Sequence, residues 1–502
     1  MKMKRKLTAY AAALALAASL LPMTAFAAEA EITEINSADD LAQFSTSVNE
    51  GNTYDGVTVT LNADITLSGE WTPIGNGART GSSYTGSSFK GTFNGNGKTI
   101  SGVEKTTTTS ADTAVGLFGV VDGGTVKDLN VIVDINVPSS ACAGGAIGLL
   151  TGGGAASNIT VGGNMTVNNG GGIVGRMLID GTISDCVNNA DITASKANVG
   201  GIVGAAYYTA IDKEMTIKNC VNNGTITTSA GVAGGIVGLS AANVSNCTNT
   251  GAVTSSGGTS VGGIVGEQQS YGAVTGNINS ADVKNTTATY GTGGIVGWVR
   301  YSGAVSAYPL KKIVEVSGNT NYGSITGGSD GGGIIGTLYN AGVVTENKNY
   351  ASSISGEKFA AGIVGNFQAT ETPVGDIPEC SAEISNNVST TALDSISGAL
   401  KNLYVYTNGN DITVKNNALA QVENFKAVTE ADGSTATGFA ATITADGSYL
   451  LQNVRWNITS GNETKSAVSS FNNVTINGDA RIGFIVANLA DSSASAALEI
   501  NE

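Results

Sequence analysis

The chain has 502 residues, 70 of them glycine and six proline, with no histidine and a formal net charge of −15. That acidic balance disfavours nucleic acid and anionic lipid as partners, and the missing histidine removes ordinary Ser-His-Asp and Cys-His pairs and all histidine metal sites. Glycine at about twice its usual share, with much Val, Ile, Thr and Asn, points to short strands parted by many tight turns.

At the N-terminus, Lys2, Lys4, Arg5 and Lys6 precede an apolar run from Ala11 to Leu21 and then Ala25-Phe26-Ala27. A charged start, a short apolar stretch and a small-x-small ending predict a secretory signal peptide over 1–27. The run is shorter than the roughly 20 residues that span a bilayer, and no later stretch reaches that length. Without the signal, 21 Lys and Arg face 40 acids, so the exported part carries about −19. The C-terminus, Ala497 to Glu502, carries no sortase-type motif. The expected location is extracellular, and any association with the cell surface would be non-covalent.

Residues 28–105 read as an N-terminal cap and entry segment. Ser37 is a candidate N-cap with Asp40 three residues on, and Leu41, Phe44 and Val48 fall on one helical face. Such a helix can cover the open edge that a stacked-strand fold exposes at its end.

From 106 to 400 the chain repeats itself. A glycine-bracketed apolar block appears first as Val115-Gly116-Leu117-Phe118-Gly119. It recurs at 144–148, 171–175, 200–204, 234–238, 262–266, 293–297, 332–336 and 361–365, mostly as GGIVG. A second block follows the later copies: Ile183 to Asn188, Ile217 to Asn222 and Val244 to Asn249, with weaker copies starting at Val274, Val316, Val344 and Ile384. A third apolar position trails each, as at Ile192, Ile226 and Val253. Three short β-branched segments per period of about 28 residues are too short for helices and too few for a propeller blade. One repeat per coil of a parallel β-helix places equivalent residues about 4.8 Å apart in columns.

Two such columns are polar or thiol. Asn188, Asn222, Asn249, Asn279, Asn321 and Asn349 occupy one position. They read as a structural ladder of stacked amides at a left-handed turn rather than as a ligand-facing row. Cys186, Cys220 and Cys247 share another position, which becomes Asn277, Asn319 and Asn347 further on. Adjacent-coil spacing permits a disulfide, but a column accepting any compact side chain suits buried free thiols better. Cys142 and Cys380 have no evident partner.

At these blocks the chain resembles proteins carrying GLUG-motif repeats. The upstream stretches Trp71-Thr72-Pro73-Ile74-Gly75 and Phe89 to Gly102 look like that family's entry segment. The resemblance spans roughly 32–388 and implies a right-handed β-helix on a secreted or surface-exposed bacterial protein, often adhesin-like. Some relatives carry a zinc peptidase, which has no counterpart in a chain lacking HExxH. Beyond 400 the repeats stop, and alternating stretches such as Leu450 to Trp456 and Arg481 to Val486 predict a small C-terminal β-sandwich over 401–502. The expected fold is therefore all-β, a parallel β-helix with an N-terminal cap and a β-sandwich at its end.

Candidate chemistry is sparse. Asp191 and Asp282 share a column three coils apart, about 14 Å, which exceeds the roughly 5–9.5 Å carboxyl separation of glycosidases. Asp180 could approach Asp212 or Glu214 from a neighbouring loop, a weak catalytic pair. No calcium-loop pattern appears, and no cofactor is implied. The stronger lead is the loop after each GIVG block, which leaves an equivalent corner each time and collects aromatic and basic residues. Tyr207, Tyr208, Tyr271 and Tyr339 occupy such loops, and the longest holds Trp298, Arg300, Tyr301, Tyr308, Lys311 and Lys312. Insertions on one flank of a repeat protein commonly build its binding face. Exposed rings beside Arg and Lys suit sugar stacking or protein docking.

The leading expectation is a non-enzymatic, adhesin-like binding protein for glycan or extracellular protein. A β-helix polysaccharide lyase or hydrolase and a structural envelope component are the alternatives.

Overall fold

A computed structural model describes residues 31–81, 83–110, 113–139, 142–207, 213–269, 272–287, 290–300, 313–339, 342–368, 382–385 and 387–389, and ten strand segments between 412 and 498. The 1–27 signal segment lies outside the described residues.

The chain winds into a right-handed parallel β-solenoid of about ten turns. Three sheets run along it. The long sheet starts at Glu34–Ile35 and adds Thr58–Leu61, Thr92–Asn94, Thr125–Val137 and Ala155–Val167 in parallel. From the next coil onward each turn contributes three short strands instead of one, first Gly181–Ser184, Val187–Asn188 and Asp191–Ala194. Two flank sheets of nine strands each are built from the two halves of the glycine-bracketed block, beginning with Ala114–Val115 and Phe118–Asp122.

Recurrence along the sequence becomes a wall in space, as the repeat reading requires. Ile202 N–H donates to Ile236 O at 2.9 Å, and Ile236 N–H to Ile264 O at 2.9 Å. Ile295, Ile334 and Ile363 continue the stack, and all six are fully buried. Alternation within each strand sends neighbouring residues to opposite faces. Leu150 and Met177 therefore belong to the main core, whereas their chain neighbours Leu149 and Leu178 belong to a second, smaller cluster with Cys142.

The asparagine column is a buried ladder. Each amide donates to the next coil's amide oxygen, from Asn188 through Asn222, Asn249, Asn279 and Asn321 to Asn349, at 2.8–2.9 Å. The second amide hydrogen goes to a carbonyl two residues ahead, as from Asn222 to Gly224 O at 2.9 Å. All six are fully buried, so both donors must be satisfied internally. The expected left-handed turn sits elsewhere: φ is positive three residues earlier, at Asp185, Asn219, Asn246, Gly276, Gly318 and Glu346.

The cysteine column also holds more order than its mixed composition suggests. Cys186, Cys220 and Cys247 are free and buried. Hydrogen bonding to Cys220 and burial both push the thiols of Cys186 and Cys247 well above the usual range. The column then becomes a second amide ladder, Asn277 to Asn319 to Asn347 to Asn387, with 2.9 Å links. Within the amide stretch an unpaired member would strand its neighbours. Cys142 is buried as well, and Cys380 lies outside the described residues.

At the N-terminal end the helix Ala38–Asn49 forms as its sequence predicts. Ser37 Oγ accepts from Asp40 N–H at 3.2 Å, and Asn36 N–H donates to the Asp40 carboxylate at 2.9 Å. Leu41, Phe44 and Val48 are fully buried, with Phe44 packed among Tyr54, Phe89 and Phe93. Trp71 ties the entry segment to the first repeat through an indole bond to Leu117 O at 2.9 Å.

The solenoid does not stop at 400. Ile412–Lys415 and Ala418–Leu419 add in parallel to Ala382–Ser385 and Val388–Ser389. The eight remaining strand segments, from Lys426–Thr429 to Ser495–Leu498, pair antiparallel in three small sheets.

Candidate functional site

The flank strand that closes each glycine block carries four of the residues singled out as ligand-binding, Tyr207, Trp298, Arg300 and Tyr339. Its register stacks Ala205, Leu239, Glu267, Trp298, Thr337 and Asn366 in successive coils. Two positions on, Gln269, Arg300, Tyr339 and Gln368 stack likewise. Trp298, Arg300 and Tyr339 are thereby brought together. The indole and the Tyr339 ring meet edge to face at 6.3 Å, and the Arg300 guanidinium lies 5.1 Å from the indole.

Two further members were not evident from the sequence. Tyr290 stacks flat on Trp298, with centroids 4.0 Å apart and planes 11° from parallel. It precedes the glycine block whereas Trp298 follows it, and the corner at Gly294 folds one strand back against the other. A search confined to loops after each block passes over it. Glu267, 4% exposed, meets Arg300 at 3.5 Å and accepts from Gln269 at 3.1 Å. Its signal would have been an acid at a flank position that the two preceding coils fill with Ala205 and Leu239.

One expectation changes. Trp298 is not an exposed stacking ring: it is 8% exposed, with Tyr290 over one face. Its indole N–H, a donor with no acceptor capacity, is buried and has no hydrogen-bond partner among the described residues. The half-exposed groups around it are Tyr290, Arg300 and Tyr339.

Tyr207 belongs to a different cluster, three coils and about 14 Å away by stacking. There the Arg176 guanidinium lies 4.7 Å from the Tyr207 ring, and Asn198 donates to its hydroxyl at 3.1 Å. Tyr208, Tyr271, Tyr301, Tyr308, Lys311 and Lys312 lie outside the described residues.

The acids have structural partners. Asp180 meets the Lys213 ammonium at 3.1 Å. Glu214 is exposed, and Asp212 lies outside the described residues. Asp191 accepts from Thr225 N–H and hydroxyl at 2.8 and 2.7 Å, and Asp282 from Ser324 N–H at 3.0 Å. Each thus bonds the next coil. Among the described residues no group of three or more Cys, Asp or Glu is placed to hold a metal ion, and no helix is long and apolar enough to cross a membrane.

No family model matches the chain, and no curated protein matches it. Among solved structures it is similar to a "putative immunoglobulin A1 protease" from Bacteroides ovatus. The two share 16% identity over 67% of this chain and 83% of that one, with a TM-score of 0.37. The expectation that this chain is not an enzyme is withdrawn, because the structure it resembles is named for a protease. At this identity and TM-score the likeness carries no activity across.

Proposed function

We propose that the chain is an exported binding protein whose aromatic flank, centred on Trp298, takes an oxygen-rich ligand, a glycan or an extracellular protein. The observation that carries this reading is the buried indole N–H of Trp298, which has no partner among the described residues. A buried donor left unpaired costs about 1–3 kcal/mol, which a ligand's hydroxyl or carbonyl oxygen would recover. Arg300 beside it presents a planar fork of donors suited to the same oxygens, and Tyr290 and Tyr339 frame the approach. The N-terminal signal pattern and the resemblance to GLUG-repeat proteins support an extracellular setting.

The test is a printed glycan array and a panel of extracellular-matrix proteins, probed with residues 28–502. Trp298→Phe keeps an aromatic ring but deletes the N–H, so affinity for the captured ligand should fall about tenfold. That corresponds to about 1.4 kcal/mol, the low end of a buried bond. Arg300→Ala should weaken it at least as much. Unchanged binding in both variants would remove this flank as the site.

A further inference from the structure

The long sheet carries a second aromatic feature, on strands that the Trp298 flank does not include. Tyr322 and Tyr350 occupy one column in consecutive coils, their rings stacked with centroids 5.4 Å apart and planes 22° from parallel. Their backbones follow the ladder, Tyr322 N–H to Asn279 O at 2.8 Å and Tyr350 N–H to Asn321 O at 2.7 Å. In the earlier coils the same column is small and polar: Asn189, Asn223, Thr250 and Ser280. Tyr322 is 53% exposed. A ring spacing close to the coil spacing means the ring planes lie across the solenoid axis. One face of Tyr322 is therefore covered by Tyr350, and the other looks over Ser280, which is too small to cover it.

The result is a notch one coil deep with a flat aromatic wall. Its floor is the outward row of the preceding coil, Ile278, Ser280, Asp282 and Lys284, all exposed. Asp282 spends Oδ1 on Ser324 N–H, and its Oδ2 has no partner among the described residues. A flat apolar wall beside a hydroxyl, a carboxylate oxygen and an ammonium matches the amphipathic ring of a hexopyranose, whose C–H face stacks on tyrosine while its rim hydroxyls bond sideways. The acid on the floor and the chain's net charge of −15 select against uronates.

We propose that this notch is a second binding site, independent of Trp298, for one ring of a neutral hexopyranose chain stacked on Tyr322. Neutral hexasaccharides of β-1,4-glucan, β-1,3-glucan, β-1,4-mannan and α-1,4-glucan are titrated against the full chain by saturation-transfer NMR, with hexagalacturonate as the acidic comparison. At least one neutral probe should bind and show transfer from tyrosine ring protons. Tyr322→Ala should weaken it tenfold or more, and Asp282→Asn severalfold. Because Tyr322 is exposed, its replacement should leave the thermal melting profile unchanged, and that is checked alongside. Failure of all four neutral probes, preference for hexagalacturonate, or full binding by a folded Tyr322→Ala protein overturns the proposal. A loss on Trp298→Phe alone would locate sugar binding at the flank and overturn it too.

Discussion

At the scale of single residues, the interlock between two columns sets the pattern of the repeat. A Cβ on Gly235 would sit 2.1 Å from Gly263 O and 2.3 Å from Cγ of Asn249. Gly201 meets Asn222 in the same way, as do Gly263 with Asn279, Gly294 with Asn321 and Gly333 with Asn349. The glycine is absent of a side chain because the asparagine fills that space, and the asparagine is held because its neighbours bond it on both sides. Asn249→Ala would strand one Asn222 amide hydrogen, at about 1–3 kcal/mol, and leave Asn279 Oδ1 its 3.4 Å bond from Ala281 N–H. Gly235→Ala overpacks against backbone as well as side chain and should cost about 3 kcal/mol or more. Combining the two relieves only the side-chain clash, since Gly263 O stays in place. The double variant should therefore be less destabilised than the sum of the singles, yet worse than Asn249→Ala alone. Hydrogen exchange at the Asn222, Asn249 and Asn279 coils reads this locally, which suits a repeat array that need not unfold in two states. Strict additivity would show that the columns do not interlock.

Both columns were visible as text, since each recurs at one place per period. What could not be read was the direction of each side chain and the location of the left-handed corner. That corner uses Asp, Asn, Gly and Glu in turn at one position, so no single letter marks it. The second amide ladder was hidden for a related reason: it begins as three cysteines, and a column that changes chemistry midway does not announce a hydrogen-bond chain.

At the scale of elements, spacing predicts what lies along a column better than what meets across a corner. The helix Ala38–Asn49 and the strand blocks follow from local periodicity and capping. The Tyr290–Trp298 contact does not, because it depends on how sharply the glycine corner folds one flank strand onto the other. The entry segment shows another contact of that kind. Glu70 bridges to the end of the strand Thr99–Lys105, accepting from Thr106 N–H at 2.8 Å, from the Thr106 hydroxyl, and from the Thr107 hydroxyl at 2.6 Å, with Lys105 at 3.3 Å. Those threonine bonds, led by the Thr106 hydroxyl, hold the Glu70 carboxyl down at about 2, below its ordinary 4.5. A depressed carboxyl stabilises the fold above its unfolded value and loses that contribution as pH falls through the folded one. The junction should therefore hold at pH 5 and loosen between about pH 4.5 and 2. Exchange of the Thr106 amide, corrected for its intrinsic pH dependence, should accelerate across that window. In Glu70→Gln it should be fast throughout, with no such step. An amide indifferent to pH in the unsubstituted chain would contradict the assignment.

At the scale of the whole molecule, the solenoid is a stack of near-equivalent coils, each contacting mainly the next. Stability in such an array is close to a sum of coil and interface contributions, so the unit that can be removed is one whole period. Deleting residues 235–262 joins Gly234 to Gly263, two glycines that already occupy consecutive places in the block. Asn222 would then meet Asn279, and Ile202 would continue into Ile264, each partner keeping the chemistry of the one lost. The shortened chain should fold as a monomer with the same β-sheet circular dichroism per residue and the same melting profile within a few degrees. Deleting only 235–248 removes half a period and carries every later strand to the wrong sheet, turning core isoleucines toward solvent. That variant should aggregate or unfold. If both deletions behave alike, the coils are not interchangeable, and the fold owes its stability to the capped ends rather than to the repeat.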